Sequence, residues 1–581
     1  MRVRVLEEIP DDPQLAAAWN DLVLRMERPE VFYTYQWARA ASWAFAAGTR
    51  TLLFLAYEAD RLCGVAALGV NPTSSAQGAF FLTASTADYC DILSEPAMRG
   101  AVMAAIFAEL PGFGVHDLVL ANVPSDSGTL RDLPRIARSH GFHFHERPAY
   151  DCGVILFGGA PERQELLQFV KRKERENRGL KKMAQMGRVQ VAHLTTEPSE
   201  RDLAPIFSAQ IVRFLATQRI SPLVYRERRN FLTELSRLLG RAGWLKISRL
   251  EVSGEALAWN YGFRFHDSWF WYLPTFQLQS EHLSPGSCLL QLLIQEGCSD
   301  PAVKRLDLGL GDESYKRRFA NSAYATRHVE LSRRSTRHMA KAGRHLLVSS
   351  VQKSPELEKQ LRKNRDQLRS LQKRLHETGL AATVGHALGR AVHKVNAEDE
   401  VLLFEAPPLH VVGDENIRLV PMDWKQFADA AIEHAEDSQT LLYLLRSAER
   451  LRRGGLPGYV LQRGDGPSLH FLWIGDVDGF HLAEIDHRLE SGDGVAAMIF
   501  DCWTPVAHRA KGYYSVAIQL AAASLQRQDR QAWIFSAATN HSSTRGIVKA
   551  GFVYRYSLVR KRRWGRSTVT RLEGTRARVS E

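Results

Sequence analysis

The sequence lacks most features that mark secreted and membrane-spanning proteins. No run of eighteen or more apolar residues occurs in its 581 residues, so it predicts no transmembrane helix. The charged N-terminus, MRVRVLEEIPDDP, lacks the apolar core of a signal peptide. The six cysteines form no C-x-x-C pair and lie mostly in apolar runs, which indicates buried free thiols in a reducing compartment. A cytoplasmic protein is therefore expected.

Local signatures of several catalytic classes are also missing. H-E-x-x-H and EF-hand spacings do not occur, so no bound metal is expected. The G-x-S-x-G motif of serine hydrolases and the Walker A motif of P-loop proteins are absent as well. Gly309-x-Gly311 is too short to count as a dinucleotide fingerprint.

Positive charge is abundant and unevenly distributed. The net charge is +12, and the segment from Leu331 to Leu380 carries 13 Lys and Arg against 4 Asp and Glu. Smaller basic clusters lie at Lys171–Lys182 and Arg560–Arg566. Such clusters fit RNA, anionic lipid or a nucleotide-linked substrate, although a solvated helix face is the more common explanation for any one of them.

The chain divides into four blocks by pattern. Residues 1–155, 156–335 and 400–575 mix helices with β-hairpins, which predicts α/β (α+β) domains with mixed, largely antiparallel central sheets. Residues 336–399 are basic and predict a helical linker. Leucines at heptad spacing within 355–378 could form a short, self-associating coiled coil, but packing of a single helix on its own domains explains them equally well.

A turn in the last block suggests an anion site. A strand ends near Cys502, a Gly-containing turn follows at Arg509–Gly512, and an amphipathic helix comes next. The free amides and positive dipole at a helix start favour an anion by up to about 2 kcal/mol. Gly512 permits close approach of a phosphate, and Arg509 and Lys511 add positive charge. Taken alone, an R-x-x-G turn is more often an ordinary helix start.

Two motifs in this block resemble the GNAT acyltransferases. Arg509-Ala-Lys-Gly512-Tyr-Tyr514 resembles the Q/R-x-x-G-x-G/A turn of that family, and the stretch from Asn540 to Gly551-Phe552 resembles its second signature. The resemblance implies a third, C-terminal GNAT domain that holds the pyrophosphate of acyl-CoA. The residues implied to bind this cosubstrate are Val506, Arg509, Lys511, Gly512, Tyr513, Tyr514 and Asn540.

Two departures from the GNAT pattern put catalysis by this block in question. Tyr514 stands where Gly or Ala is usual, which would narrow the approach of the pyrophosphate. Ile547 stands where many members of the family carry a tyrosine as general acid. The departing thiolate of CoA would then need another proton source, or the domain is not catalytic.

Residues 1–335 resemble a second group, the CelD/BcsL-type acyltransferases, which are tandem GNAT-like pairs associated with polysaccharide biosynthesis. The motifs that carry this resemblance are Phe32-Tyr33-Thr-Tyr-Gln36-Trp37, Thr86-Ala-Asp88-Tyr89-Cys-Asp91, His282-Leu-Ser284-Pro285-Gly286 and Asp307-Leu-Gly309-Leu-Gly311-Asp312-Glu313-Ser-Tyr315-Lys316. The resemblance implies an acyltransferase built from two GNAT-like units.

The later motifs supply the candidate catalytic residues. Ser284, Gly286 and Ser287 would offer amides at a helix start to the acyl-CoA pyrophosphate. Lys316 and Asp307 are candidate catalytic residues: Lys316 could neutralise a substrate phosphate or a developing oxyanion close to Asp307. Alternatively, Lys316 is a solvated cation while Asp307 caps the turn. His282 is a candidate general base or a capping residue. Glu313 is the acidic alternative, unless it pairs with Lys316.

Acidic and aromatic side chains in other segments could form an acceptor site. Asp88, Tyr89 and Asp91 could reach a cleft between the first two blocks, although an Asx-type turn explains both aspartates without function. Trp259, Trp269, Trp271 and Tyr272 could line a cleft for sugar rings, with core packing expected for at least half of them. His266 is expected in a hairpin turn.

The leading hypothesis is an N- or O-acyltransferase that uses acetyl-CoA or another acyl-CoA, with residues 1–335 as the main enzyme. A sugar or amine acceptor from bacterial polysaccharide or cell-envelope biosynthesis is expected. One alternative is a Fem-type aminoacyl-tRNA-dependent transferase of peptidoglycan, whose basic linker contacts tRNA. The other is a non-catalytic scaffold that uses acyltransferase folds as binding modules.

Overall fold

The computed structural model describes residues 1–72, 78–311, 313–334, 396–408, 416–464, 466–490, 495–563 and 566–573. It divides into an N-terminal unit, Met1–Arg213 with Tyr225–Ser350, and a C-terminal unit, Phe214–Val224 with Val351–Glu581. Most of the expected basic linker and the whole expected coiled coil at 355–378 lie outside the described residues. No helix among the described residues is both long and apolar enough to cross a membrane.

The strands of the N-terminal unit form one 13-stranded mixed sheet. They are β1 (Arg2–Leu6), β2 (Arg50–Glu58), β3 (Arg61–Val70), β4 (Gly78–Phe81), β5 (Leu93–Ser94), β6 (Asp117–Pro124), β7 (His143–Leu156), β8 (Val189–Leu194), β9 (Leu245–Val252), β10 (Glu255–Phe265), β11 (Ser268–Phe276), β12 (Arg305–Leu310) and β13 (Ser322–Ser332). Their order across the sheet is β1-β2-β3-β4-β6-β13-β7-β12-β11-β10-β9-β8, and β5 pairs with β3.

Helices connect these strands, and several begin at the residues that chemistry favours. The helices are α1 (Pro13–Leu24), α2 (Tyr35–Ala44), α3 (Arg99–Glu109), α4 (Gly128–Ser139), α5 (Ala160–Glu176), α6 (Arg178–Met186), α7 (Glu200–Ala216), α8 (Arg226–Arg241), α9 (Pro285–Ser299) and α10 (Ser314–Arg317). The Asp12 carboxylate caps α1, whose first residue is proline, and the Ser127 hydroxyl caps α4.

The sheet consists of two half-sheets that exchange strands at their junction. The first half-sheet comprises β1–β7 and the second comprises β8–β13. β13 inserts between β6 and β7, and β7 in turn lies between β13 and β12, all in antiparallel pairs. The expected boundary at residues 155 and 156 therefore falls at the end of a strand that both half-sheets share. The predicted α/β class with mixed, largely antiparallel sheets is confirmed.

Each half-sheet contains one parallel pair that separates along its length. β11 and β12 pair from Ser268↔Arg305 to Phe270↔Asp307. Beyond these residues, β11 continues to Phe276 and β12 to Leu310, but the two strands no longer pair with each other. β4 and β6 pair only as far as Phe80↔Val119. Two wedge-shaped gaps therefore open in the sheet, and a helix follows the first strand of each pair.

The C-terminal unit has its own eight-stranded sheet in the order β15-β16-β17-β20-β21-β14-β22-β23. Its strands are β14 (Asn396–Glu405), β15 (Ile417–Pro421), β16 (Gly458–Arg463), β17 (Ser468–Asp476), β18 (His481–Leu482), β19 (His487–Arg488), β20 (Ala496–Trp503), β21 (Gln531–Ala537), β22 (Val553–Arg563) and β23 (Arg566–Glu573). Its helices are α11 (Trp424–Glu433), α12 (Ser438–Arg453), α13 (Tyr513–Gln526) and α14 (His541–Lys549).

This unit also contains a parallel strand pair that separates along its length. β20 and β21 pair from Ala496↔Gln531 to Ile499↔Ile534 and then separate. β14 lies between β21 and β22, where the first sheet places an exchanged strand. Between Phe480 and Ile485 only the two-residue β18 forms, and Leu482 and Ile485 are buried in a core cluster together with residues of the sheet.

Candidate functional site

The gap between β11 and β12 opens beside a cleft of about 650 Å³ in the N-terminal unit. Tyr272 and Leu273 of β11 and Leu310 of β12 contribute to its wall. The loop that follows β4 in the first half-sheet adds Asp88. We call this the Asp88 cleft; its other lining residues include Thr86, Asn122, Arg147, Tyr150 and His328. The cleft is thus built from both half-sheets.

Asp88 supplies the carboxylate among the residues that line this cleft. Among the described residues, no hydrogen bond or ion pair engages it. Burial and, to a smaller extent, the negative charge of Asp307 raise its pKa to about 8, although the Lys316 ammonium opposes the change. A Cβ at Gly309 would lie 2.7 Å from the Asp88 Oδ2, so only glycine leaves room for this carboxylate. Asp88 can therefore gain and lose a proton near neutral pH.

A buried ionic network lies behind the cleft. Tyr89 donates its hydroxyl proton to Asp307 at 2.9 Å, and the Gly309 N–H donates to the other oxygen of the same carboxylate at 2.9 Å. The Arg28 guanidinium lies 4.4 Å from the centre of the Tyr89 ring. Asp307 is buried and has these partners, so it suits a positioning role at the end of β12. Its predicted catalytic role stays a prediction.

The same network contains charged residues that the sequence motifs did not indicate. Glu30 is fully buried and pairs with Arg28 at 2.5 Å and with Arg305 at 2.8 Å. Burial raises the pKa of Glu30, and the two arginines oppose this effect. The Arg28 guanidinium also lies 3.9 Å from the Tyr324 ring centre. Arg28 and Glu30 lie in the loop between α1 and α2, whereas Arg305 lies in β12 and Tyr324 in β13. No local sequence pattern therefore joins the four residues.

Lys316 and Glu313 form the pair that was one of the two expected arrangements. The Lys316 ammonium lies 2.8 Å from the Glu313 carboxylate and donates to the Leu310 carbonyl at 2.6 Å. Lys316 is buried, whereas Glu313 is exposed. Lys316 thereby fixes the Gly309–Gly311 turn that faces Asp88. A direct role of either side chain in catalysis stays a prediction.

The start of α9 lies in a second cleft, of about 620 Å³, which we call the α9 cleft. It brings together three predicted residues, His282, Ser284 and Ser287. Its rim carries three cationic residues that the motifs did not indicate, Lys173, Arg178 and Arg318. Ser284 has a φ of 51°, and its hydroxyl makes no cap hydrogen bond. Gly286, which was also predicted here, packs near Phe276 and does not line this cleft.

The two clefts lie on opposite faces of the sheet. Trp271 donates its indole N–H to the Tyr315 hydroxyl, which lines the α9 cleft, at 3.2 Å. The next residue, Tyr272, lines the Asp88 cleft and donates to the Thr86 carbonyl. Because successive side chains of a strand point to opposite faces, the β11–β12 gap lies between the two clefts. Trp259 and Trp269, like Trp271, are core residues, as expected for at least half of this aromatic set.

The equivalent gap of the first half-sheet is filled by the protein itself. The loop after β4 runs along β6: the Cys90 N–H donates to the Asn122 carbonyl, and the Asn122 amide donates to the Ala87 carbonyl. At the start of α3, the buried Arg99 side chain donates to the Thr129 hydroxyl at 3.1 Å. Asp91 accepts from Ser127 at 2.6 Å, so it belongs to this local network and not to the Asp88 cleft.

In the C-terminal unit, the expected turn forms at the start of α13. Gly512 has a φ of 81°, and a Cβ there would meet no atom within 4 Å. Lys511 is exposed beside it, and Tyr513 is the first residue of the helix. The Val506 N–H donates to the Asp437 carboxylate at 3.0 Å. The turn is therefore present, while one of its predicted amides already has an acceptor.

Other predicted residues of this turn also have partners within the unit. Arg509 donates to the Thr504 carbonyl and to the Gln439 side chain, each at 3.1 Å. Asn540 caps α14 by accepting from the Ser543 N–H. The Tyr514 ring packs on Gly546, where a Cβ would come within 2.5 Å of it, and its hydroxyl lies 3.0 Å from that of Ser543. Binding of acyl-CoA by these residues stays a prediction.

His470, in the interior of this unit, is a poor proton acceptor. Ile547 is fully buried in the core, as its apolar side chain allows. His470 lies against the Tyr514 ring, with 5.5 Å between ring centres, and shares a hydrogen bond with Thr504. Burial lowers the pKa of His470 to about 3, so its imidazole is neutral at physiological pH.

Residues 170–317 match the model of a family described as acetyltransferase (GNAT) domain. The match spans α9, β12 and the Lys316 turn, and it confirms the predicted GNAT-like character for this part of the N-terminal unit. The resemblance to the CelD/BcsL-type group stays a prediction. A search of curated protein sequences found no match to the chain.

Solved structures similar to this chain include FemX, with 9% identity and a TM-score of 0.40 over 57% of this chain and 97% of that one. A conserved protein of unknown function from Bacteroides thetaiotaomicron VPI-5482 has 12% identity and a TM-score of 0.39 over 57% and 100% of the two chains. A tandem GNAT protein from the clavulanic acid biosynthesis pathway has 10% identity and a TM-score of 0.32 over 56% and 98%.

Proposed function

We propose that this protein is an N- or O-acyltransferase that uses acetyl-CoA or another acyl-CoA and whose active site is the β11–β12 gap of the N-terminal unit. The observation that carries the proposal is the Asp88 carboxylate, which has no partner among the described residues and faces that gap from the other half-sheet. The GNAT-domain match over residues 170–317 supports acyl transfer as the reaction class.

The α9 cleft is the proposed site for the acyl donor. Its cations Lys173, Arg178 and Arg318 surround the start of a 15-residue helix, where the dipole and backbone amides favour phosphate. The rest of the donor would pass through the β11–β12 gap, so that its thioester reaches the Asp88 cleft on the opposite face. Along this path, the donor would contact only residues that line the two clefts and the gap between them.

Asp88 is the proposed general base. Its carboxylate takes a proton from an amine or hydroxyl of the acceptor, whose nitrogen or oxygen attacks the thioester carbon. The new C–N or C–O bond forms, the C–S bond breaks, and CoA leaves as a thiolate that takes up a proton from solvent, to which Asp88 releases the proton that it accepted. Tyr272 and Tyr150 give the cleft aromatic walls that suit a sugar ring, which supports an acceptor from polysaccharide or cell-envelope synthesis.

The test measures release of free CoA thiol by the full-length chain with acetyl-CoA and a panel of amine and amino-sugar acceptors. In Asp88→Asn, kcat is expected to fall by roughly 10²-fold or more, the range for loss of a general base, while affinity for acetyl-CoA is unchanged. Asp60→Asn, at a fully exposed aspartate, is the matched control and should retain full activity. Full activity in Asp88→Asn would refute the assignment.

An aminoacyl-tRNA donor is the second candidate, because the cationic rim of the α9 cleft suits the phosphates of either donor. The same protein is therefore titrated with acetyl-CoA and with aminoacyl-tRNA at two salt concentrations. Binding of the tRNA alone, with a steep loss at high salt, would move the function to this class. If neither acetyl-CoA nor aminoacyl-tRNA binds, the scaffold hypothesis is the one that remains. The cytoplasmic location and the C-terminal GNAT domain stay predictions.

A further inference from the structure

We propose that Glu433, His434 and His508 of the C-terminal unit bind a divalent transition-metal ion, with zinc the ion that fits them best. One carboxylate and two imidazoles are the donor set of many three-ligand zinc sites that keep a fourth position open. Local sequence motifs predicted no metal, because these ligands lie on a helix end and on a loop more than seventy residues later. This site is independent of the proposed acyltransfer site.

The ligand atoms already converge. The Glu433 carboxylate lies 3.6 Å from the Nε2 of His434 and 3.7 Å from the Nε2 of His508. One ligand atom from each of the three residues lies within 4.8 Å of the other two. Tetrahedral zinc, with bonds of about 2.0–2.1 Å, places its ligand atoms about 3.3 Å apart. A rearrangement of the side chains alone would therefore close the site.

Neighbouring groups hold the ligands in place. The Ser468 N–H donates to the second oxygen of Glu433 at 2.9 Å, which leaves the first oxygen for a metal. His434 follows the last residue of α11, where the negative end of the helix dipole favours a cation. Its Nε2 lies 3.2 Å from the Ser468 carbonyl, a hydrogen bond that metal binding would replace. Oriented ligands of this kind raise metal affinity.

The loop that carries His508 is anchored independently. The Val506 N–H donates to Asp437 at the start of α12, and the His508 N–H donates to the Pro505 carbonyl. The side chains of Glu433 and His508 are 27% and 16% exposed, so an ion can reach them from solvent. Because His508 immediately precedes Arg509, a bound ion would tie the Arg509–Gly512 turn to the end of α11.

The test uses the full-length chain, stripped of metal with a chelator and then titrated with Zn²⁺ against a competing chelator. One tightly bound ion per chain is expected, and His508→Gln and Glu433→Gln should each weaken binding at least about tenfold. His481→Gln is the matched control, because His481 is exposed and pairs with Asp486 elsewhere in the unit. It should leave the affinity unchanged.

A spectroscopic readout separates binding from folding. Co²⁺ in place of Zn²⁺ should give visible absorption bands in the wild type and in His481→Gln, and none in His508→Gln. In the absence of metal, circular dichroism of His508→Gln should match that of the wild type. Equal Zn²⁺ affinity in the wild type and His508→Gln would overturn the proposal, as would an equal loss in the control.

Discussion

The second half-sheet and the C-terminal unit share one device and differ in what surrounds it. Both have a parallel strand pair that separates, and both place a helix start after the first strand of that pair. In the second half-sheet, cations surround the helix start, and a carboxylate with no partner among the described residues faces the gap. In the C-terminal unit, the Val506 amide and the Arg509 guanidinium already bind neighbouring side chains. A motif therefore specifies a turn, whereas distant residues decide whether that turn is available to a ligand.

The largest expected effect is a loss of stability, and it tests the buried charges that lie behind the Asp88 cleft. Arg28→Met would leave the buried Glu30 carboxylate with one arginine partner fewer and remove a cation beside Asp307. The free energy of unfolding should fall by about 3–5 kcal/mol, as for other broken buried ion pairs. Urea-induced unfolding followed by far-ultraviolet circular dichroism measures this change.

Arg450→Met in the C-terminal unit is the control for that experiment. Arg450 pairs with Asp501 at 2.7 Å, but both side chains are about one third exposed. Its loss should therefore cost about 1 kcal/mol or less. Equal costs for the two substitutions would show that burial does not distinguish the two networks.

Two glycines with similar backbone conformations give a sharper comparison. Gly309 and Gly512 have φ values of 72° and 81°, so alanine at either position costs about 1 kcal/mol in backbone strain. Only at Gly309 would the new Cβ also collide with Asp88. We expect Gly309→Ala to lose at least about tenfold in activity, because the proposed base is displaced, while Gly512→Ala stays active. Thiol-release assays on both variants decide this, and similar losses would argue against the Asp88 assignment.

Charge reversal distinguishes the two helix starts as donor sites. Arg178→Glu should weaken acetyl-CoA binding about tenfold, because it places a negative charge on the rim of the α9 cleft. Lys511→Glu makes the same change beside the turn of the C-terminal unit. Isothermal titration of each variant resolves the sites. A loss confined to Lys511→Glu would assign acyl-CoA to the C-terminal unit.

The last expected effect is the pH dependence of stability at Asp88. Its pKa rises to about 8 on folding, so the folded state favours the protonated carboxyl. This contribution is fully present below about pH 4, where both states are protonated, and is lost as the pH rises through 8. Asp88→Asn should therefore gain stability relative to the wild type as the pH rises from 4 to 9. Parallel thermal melts at the two pH values would contradict this if the difference did not change.

The sequence predicted the fold class and the Gly512 turn because both depend on local patterns. The alternation of apolar and polar residues predicts the β-hairpins of β9–β11, and Gly512 predicts a positive φ at the start of α13. The pairing of Lys316 with Glu313 is predictable as one alternative because the two residues are close in sequence. The spacing of charged residues in the sequence thus sufficed for contacts within one turn.

Contacts between distant segments could not be predicted in the same way. Asp88 gained its raised pKa from burial against a strand that comes more than two hundred residues later, and Arg28 met Tyr324 through the exchanged β13. Likewise, the two parts of the Glu433–His434–His508 cluster lie on separate elements. Single-sequence patterns carry no information on such pairings, so Asp88 was indicated only as one of two acidic loop residues.

The exchanged strands also determine the order in which the chain can be assembled during synthesis. β6 pairs with β13, from Asp117↔Ser332 to Thr326↔Pro124, so its edge has no partner until about 200 more residues have left the ribosome. An exposed strand edge is a template for intermolecular pairing, and such non-local pairing folds slowly. The N-terminal unit should therefore depend on protection of nascent β6, and a chain truncated before Ser322 should aggregate instead of forming a stable half.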